Sequence, residues 1–477
     1  MTDQATRLGS RAVLNTTLVL IARVISRLVA LVMVVVLANH LGANAYGRYT
    51  TLVAYSALVS VVADLGLSPL YTREAARDPA HLPLYLSTLL GGKAALGTAA
   101  CAIFAAALLL VGLGALVLPG AALLLATTYA TLLRNTFYAV GRLEFEGVAI
   151  LCETAIQAGL ILYGARRGAG VAFFVWAYAA SYTFTCLYVP LTVAVFRLAR
   201  LRPALDLRLL RAWLRLAFPF ALAALLTNLY FKADVPILQH FRPYQEVGWY
   251  QFAYKPFEAL QFVPLAIQAV VYPLLAVHFR ERSPELGVAY ARSFKVLVVL
   301  GWPLTVGTFV LTHPIGRLFR LFPQSEPSLR ILAWGIVFLF ANSAFTAMLS
   351  AMDRQDLFAW ATAIAVIVNL GLNLILIPHY GYLAASAVTV VTEAAFSIAA
   401  WRFVASCERL PWLRVSWRTL IAGGLMGAVL LPLAGRSLVV AVPVGVAAYG
   451  LALWALRAVD RDELDLLVRG LRPRPAG

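Results

Sequence analysis

Charge is scarce in this sequence. Asp, Glu, Lys and Arg together make up 13% of its 477 residues, 62% are hydrophobic, and the mean hydropathy is +0.82. Soluble domains are nearer half apolar and a quarter charged. The balance therefore excludes a soluble globular protein and points to a chain that crosses a membrane many times. Cysteine is nearly absent: Cys101, Cys152, Cys186 and Cys407 stand singly in or beside apolar segments. Without paired spacing they suggest neither a disulfide framework nor a metal site, and they read as small packing residues. The six histidines are scattered, with no cluster for a metal.

Long polar stretches are missing too. The longest connection between apolar segments is about 20 residues, which leaves no room for a nucleotide-binding or glycosyl-transfer domain. There is no Walker-type phosphate loop. No catalytic centre and no cofactor site are expected, and the chain does not read as an enzyme. Lysine is rare as well, only 4 of the 39 basic residues. The net charge of +17 would suggest nucleic acid in a soluble protein. Here the charges fall mostly between apolar segments, so they report topology and not a nucleic-acid partner.

What is present is a series of apolar runs. Residues 18–38, LVLIARVISRLVALVMVVVLA, are long enough to span a bilayer, since about 20 apolar residues at 1.5 Å each cover the hydrocarbon core. The run is too long for a signal-peptide core and has no small-residue cleavage site after it, so a retained span is expected. Length, Gly/Pro breaks and charge clusters predict an all-α polytopic membrane protein of about 14 transmembrane helices. They begin near Leu14, Tyr46, Leu86, Ala115, Gly147, Gly170, Leu216, Val247, Phe294, Leu329, Leu357, Leu383, Leu420 and Ser437.

Orientation follows from the basic residues. With a cytoplasmic N-terminus, 25 of the 39 fall in inner segments and 8 in outer ones, so both termini are expected inside. The heaviest inner stretch carries Arg197, Arg200, Arg202, Arg208, Arg211 and Arg215. The last three recur at helical spacing with leucines between, as in a helix lying on anionic headgroups or a plain interfacial linker.

An internal repeat meets at that stretch. Gly47-Arg48-Tyr49 aligns with Gly248-Trp249-Tyr250, and the same offset of 201 pairs Leu37 with Leu238 and Tyr71 with Tyr272. Six spans separate the copies, so they return in the same orientation, as two parallel halves. The expected domains are an N-terminal six-helix bundle (1–197), a basic cytoplasmic linker helix (198–215) and a C-terminal six-helix bundle (216–405). Two additional helices with a basic cytoplasmic tail follow (406–477).

Polar groups inside the spans are the candidate functional residues. Arg23 and Arg27 are four apart and share a helix face. Each costs on the order of 2.5–3.5 kcal/mol at mid-bilayer. Either partners in the bundle neutralise them, or they line a water-filled cavity that takes an anion. In span seven Asn228 and Lys232 share a face with Asp234 nearby, and Pro236 interrupts the helix. Span eight carries a polar stripe of Lys255, Glu258, Gln261 and Gln268, with Pro256 and Pro264 available to bend it. Asp234, Glu258, Glu153 and Glu393 are candidates for ion coupling. Asp64, Lys93 and Arg134 lie near span ends, where snorkelling is expected. Asn369 and Asn373 read as interhelical hydrogen-bonding residues.

Three stretches resemble one family. They are LANHLGANAYGRY and its continuation (37–77), the segment 218–276 with Pro219, Asp234, Gly248-x-Tyr250 and Tyr254-Lys255, and LSAMDRQD with its continuation (349–393). All three look like the polysaccharide, or O-antigen, flippases of the multidrug/oligosaccharidyl-lipid/polysaccharide exporter superfamily. The resemblance implies two six-helix bundles around a central cavity. It further implies movement of a polyprenyl-diphosphate-linked oligosaccharide from the inner to the outer leaflet by alternating access. The setting would be a bacterial or archaeal cytoplasmic membrane, with polysaccharide-assembly proteins as partners and H+ or Na+ as a counter-ion. Arg23 and Arg27 match the first-span cavity arginines of the related lipid II flippases. A cation-coupled multidrug exporter of the same superfamily is the competing expectation.

Overall fold

The computed structural model describes residues 2–198, 206–406, 408 and 411–458, with side chains from Leu18 onward. The linker residues 199–205, Cys407 and the basic tail from 459 lie outside the described residues. Every regular element among the described residues is helical. In chain order they begin with α1 (Thr2–Asp64), α2 (Leu67–Arg77), α3 (Leu82–Leu110), α4 (Val117–Ala139), α5 (Leu143–Arg166) and α6 (Val171–Val195). Next come α7 (Leu207–Lys232), α8 (Asp234–Phe241), α9 (Tyr244–Leu260), α10 (Phe262–Arg280), α11 (Leu286–Val310) and α12 (Thr312–Leu318). The last are α13 (Ser325–Ala333), α14 (Gly335–Ala351), α15 (Gln355–Ala405), α16 (Trp412–Leu430) and α17 (Leu438–Ala455).

Among the described residues, 11 helical stretches are long and apolar enough to cross a membrane, or 12 if the bent pair α13–α14 is one span. Their surfaces require a lipid surround. In α1, in α7 and in the stretch Tyr244–Arg280, only 11% of the most apolar window is buried inside the protein. Helices satisfy their own backbone groups, which is what a hydrocarbon solvent demands.

The fourteen expected crossings require α1 and α15 each to cross twice. At 63 and 51 residues, both far exceed the roughly 20 needed for one passage. Each also contains a glycine in a positive-φ conformation that interrupts the helix: Gly42 (φ 72°, ψ 167°) and Gly381 (φ 60°, ψ −140°). A side chain there would meet its own backbone, so only glycine allows the break cheaply.

The chain divides into two compact units, Met1–Gly248 and Trp249–Gly477. In the first, Tyr71 of α2, Leu132 and Phe137 of α4, and Trp213 and Ala217 of α7 share one buried apolar cluster. Gly66 (φ +75°), just before α2, lies so close to α7 that a Cβ would stand 2.5 Å from the Ala217 carbonyl oxygen. This packing holds α7 in the first unit, which runs on through α8 to Gly248, whereas the sequence repeat groups both helices with the second copy. The basic residues Arg208, Arg211 and Arg215 form the first turns of α7, which runs unbroken to Lys232. Asp206 caps it by accepting from the Arg208 and Leu209 amides at 2.9 and 3.0 Å.

In the second unit, α9 and α10 are separated at Gln261, three residues before Pro264, whose ring cannot supply the next helical amide bond. Met426 and Leu430 of α16 pack with Ala441 and Tyr449 of α17. Trp302 of α11 lies against Gly423 and donates its indole N–H to the Leu420 carbonyl at 3.0 Å.

Candidate functional site

Four helices of the first unit bring their intramembrane charges together, each through helical spacing. Arg23 and Arg27 lie one turn apart on α1, and Arg134 and Tyr138 one turn apart on α4. Glu146 and Glu153 lie two turns apart on α5, and Tyr182 and Thr185 follow on α6. Residues three, four or seven apart share a helix face, so one face of each helix meets the others. Ser26 and Thr154 tie α1 to α5 beside the cluster through a 2.7 Å hydrogen bond.

The bonds run as a chain. Arg23 Nη2 donates to the Tyr138 hydroxyl at 2.5 Å, and that hydroxyl donates to Glu146 Oε1 at 3.3 Å. Arg23 Nη2 is also 3.7 Å from Glu146 Oε1. Arg134 Nη2 donates to Glu153 Oε2, which accepts a second bond from Thr185 Oγ1 at 2.8 Å. The Arg134 guanidinium lies 5.8 Å from the centre of the Tyr182 ring. Its Nε faces Glu146 Oε2 across 3.8 Å, held by charge with no hydrogen bond on either buried atom.

Charge balance separates the two first-span arginines. Glu146 is 1% exposed and Glu153 12%, so both carboxylates need cations close by. Arg134 and Arg23 supply them. Arg23 is nonetheless about half exposed, reaching inward to Glu146 while presenting its outer edge. Arg27 is exposed and makes no hydrogen bond or ion pair to a described residue. The cluster is thus neutral in its depth and carries one further positive charge, a turn along α1.

The remaining candidates stand elsewhere. Asn228 donates to the Ala224 carbonyl of its own helix at 2.9 Å. Asp234 is buried at the start of α8 and accepts from the Val235 amide at 2.9 Å; neither it nor Lys232 is free. Lys255 and Glu258 pair at 2.7 Å on α9. Gln261 occupies the break before α10, and Gln268 accepts from Ser343 at 3.1 Å. Glu393 is buried and accepts the Asn342 amide at 2.8 Å, while Asn342 accepts from Ser397. Asn369 reaches Thr392 at 3.2 Å across the Gly381 break, as an interhelical residue should, whereas Asn373 bonds to Asn369 one turn back on its own helical stretch at 3.0 Å.

Lys93 does not snorkel. Its side chain is fully buried, paired with Asp64 at 2.5 Å and donating to Ser68 and to the Thr128 carbonyl, both at 3.1 Å. Arg134 is held inside by its two glutamates. Charged and hydrogen-bonding partners inside the protein replace the headgroup contacts that snorkelling would provide. Sequence reasoning missed Glu146 and Tyr138. Their signal was spacing, since Glu146 stands seven before Glu153 and Tyr138 four after Arg134, but the span expected from Gly147 starts just past Glu146, whereas α5 starts at Leu143. Among the described residues no three His, Cys, Asp or Glu side chains converge as metal ligands.

Many apolar helices with charges gathered between them define a multi-pass membrane protein. The family profile described as Polysaccharide biosynthesis protein matches residues 12–279, more than half of the chain, and the protein belongs to that family. A second profile, MatE, matches residues 219–375. No curated protein sequence matches. The fold is similar to that of the lipid II flippase MurJ in an inward closed conformation, with a TM-score of 0.74 and 15% identity, covering 92% of this chain and 99% of that one. It is also similar to a multidrug resistance MATE family transporter of the MOP superfamily in an inward-facing conformation, with a TM-score of 0.63 and 14% identity over 79% of this chain and 93% of that one. A MOP superfamily transporter from Pyrococcus furiosus, described by the reverse polarity of its binding pocket, gives a TM-score of 0.53 at 15% identity, over 88% and 96%. At these identities the likeness is one of fold.

Proposed function

We propose that this protein is a flippase that moves a polyprenyl-diphosphate-linked oligosaccharide from the inner to the outer leaflet for cell-surface polysaccharide synthesis. The observation that carries the reading is the positive charge on α1 that no described side chain balances. Arg27 is exposed and bonded to no described residue, and Arg23 beside it is only partly engaged. A diphosphate suits such a pair, because the planar guanidinium donates parallel hydrogen bonds to phosphate oxygens. A water-filled cavity lined by α1 lowers the cost of holding arginine at that depth, and the bound anion lowers it further. The polyprenyl tail stays in lipid while the sugar travels through the wet space, by alternating access.

In this reading Asn228 and Lys232 of the first unit contribute polar contacts to the glycan. The termini are cytoplasmic and the protein works in the cytoplasmic membrane alongside polysaccharide-assembly proteins. Export of negative charge across an inside-negative membrane is favourable by about 2.3 kcal/mol per charge per 100 mV. The potential can drive the cycle, with H+ or Na+ at Asp234, Glu258, Glu153 or Glu393 as the alternative source.

The MatE profile and the MATE-like fold favour a second reading, a cation-coupled exporter of small molecules. Cationic drugs call for an acidic cavity, and an unbalanced first-span arginine repels them. One experiment separates the two. In spheroplasts carrying the native glycan pathway, outer-leaflet appearance of labelled lipid-linked oligosaccharide is followed for the wild type and Arg23→Gln/Arg27→Gln at matched expression. Loss of flipping in the variant supports the flippase reading and its anion site. Unimpaired flipping removes the arginines from the site, and a wild type that moves drug but no lipid-linked sugar favours the exporter.

A further inference from the structure

One end of the second unit holds an open cleft of about 710 Å³. Arg292 and Lys295 reach it from α11, Arg414 and Arg418 from the start of α16, and Arg457 from the chain after α17. Five cations thus converge from three segments, and Glu408 is the one acid among the described lining residues. An excess of arginine at a membrane surface is ordinary topology. Convergence on a concavity is not, because like charges brought together repel unless an anion joins them.

Two of these cations are unengaged: Arg292 and Arg414 are exposed and make no hydrogen bond or ion pair to a described residue. Arg418 is held in place, donating to the Arg457 carbonyl at 2.8 Å with its guanidinium 5.3 Å from the Trp417 ring centre. Two helices also start at the cleft. The Glu408 carboxylate already lies at the first turn of α11, where a Cβ on Gly287 would stand 2.4 Å from its Oε1. An anionic oxygen is therefore accommodated there. No described side chain caps α16, whose first amides have no intrahelical acceptor, and such amides favour an anion.

We propose that this cleft binds the phosphate headgroup of an anionic phospholipid. The charge and the uncapped helix start select a phosphate. The rim selects a lipid as its source: Trp412 and Trp417 are exposed beside the cleft, at 41% and 46%, and Leu413 between them at 57%. Trp is enriched at the level of the headgroups, where its ring is half in lipid. The orientation expected from the basic segments puts this end on the cytoplasmic leaflet, where anionic lipids attract basic pockets. The site is remote in sequence from the α1 arginines and does not rest on the flippase reading.

The test uses the full-length protein in detergent, with bound lipid counted by native mass spectrometry during titration with phosphatidylglycerol or phosphatidylcholine. Wild type is expected to retain phosphatidylglycerol in preference to phosphatidylcholine. Arg292→Gln/Arg414→Gln is expected to bind phosphatidylglycerol roughly 25-fold more weakly, at about five-fold per charge removed near the surface. Arg280→Gln/Arg282→Gln, which removes two cations from the same end of the protein without lining the cleft, keeps the wild-type affinity. Arg414→Gln alone alters one exposed side chain that bonds to no described residue and is expected to lose about five-fold, so the test survives a poorly folding double variant. Equal phosphatidylglycerol binding by wild type and both cleft variants, or an equal loss in the Arg280/Arg282 control, overturns the proposal. Inorganic phosphate that displaces the lipid at equal concentration overturns the lipid assignment in favour of a soluble phosphate.

Discussion

Gly47 and Gly248 occupy the same place in the two copies of the repeated motif, and each presses on the backbone of the other copy. A Cβ on Gly47 would stand 1.8 Å from the Tyr244 carbonyl oxygen, and one on Gly248 2.0 Å from that of Ala43. Each glycine therefore meets the carbonyl four residues before the other, a reciprocal contact between residues that share the 201-residue offset. The Arg48 guanidinium lies 5.6 Å from the Tyr244 ring centre, and the Tyr244 hydroxyl donates to the Val111 carbonyl beside the same contact.

Neither position tolerates a side chain without separating the two backbones. Gly47→Ala and Gly248→Ala are each expected to lower stability by about 1–3 kcal/mol, the usual cost of overpacking. Gly159→Ala, where a Cβ on α5 meets nothing within 4 Å, is expected to be neutral or stabilising. Thermal unfolding in detergent, followed by tryptophan fluorescence, checks the contrast. Equal behaviour of all three would show that the contact does not hold in solution.

The Lys93–Asp64 pair gives a second prediction. Lys93→Met leaves Asp64 without its cation and is expected to cost about 3–5 kcal/mol. The double variant Lys93→Met/Asp64→Asn removes both charges and is expected to recover a large part of that loss. Unfolding of the two singles and the double forms the cycle, and purely additive effects would contradict a coupled pair.

Arg27 and Arg134 should respond in opposite ways. Arg134→Gln removes the cation shared by Glu153 and Glu146, and it is expected to destabilise by several kcal/mol. Arg27→Gln touches no described partner and is expected to stay within about 0.5 kcal/mol of wild type. Its flipping is expected to fall about ten-fold or more, the worth of one charge-assisted hydrogen-bonding group. Unfolding and transport measured on the same preparations separate the structural arginine from the one proposed to bind substrate.

Gly42 tests backbone strain alone, since a Cβ there meets nothing within 4 Å. Its φ of 72° and ψ of 167° still exclude other residues. Gly42→Ala is expected to cost about 1–3 kcal/mol through conformation only. An unfolding midpoint unchanged from wild type would mean that α1 runs straight through this position.

Much of the fold was legible along the chain. Hydropathy and segment length are local properties, so the positions of the apolar helices, the membrane class and the family could be read residue by residue. The repeat was legible because its offset survives in a few matched residues. The glycine motif shows the limit of that reading: Gly47 and Gly248 identified two equivalent copies, but their spacing said nothing of the contact between them.

The sequence by itself determined which residues carry charge inside the membrane. Only the tertiary structure decided which of those charges are neutralised. Arg23 and Arg27 are alike in type and helix face, yet one reaches Tyr138 and Glu146 and the other, a turn along, reaches no described partner. Lys93 looked fit to snorkel and is sealed against Asp64. Tyr138 lies 115 residues from Arg23 in the chain, and the hydrogen bond that joins them exists only at 2.5 Å in space. Hydropathy sums over neighbours along the chain, whereas an ion pair weakens with the distance between side chains, and the packing of α1, α4, α5 and α6 sets that distance.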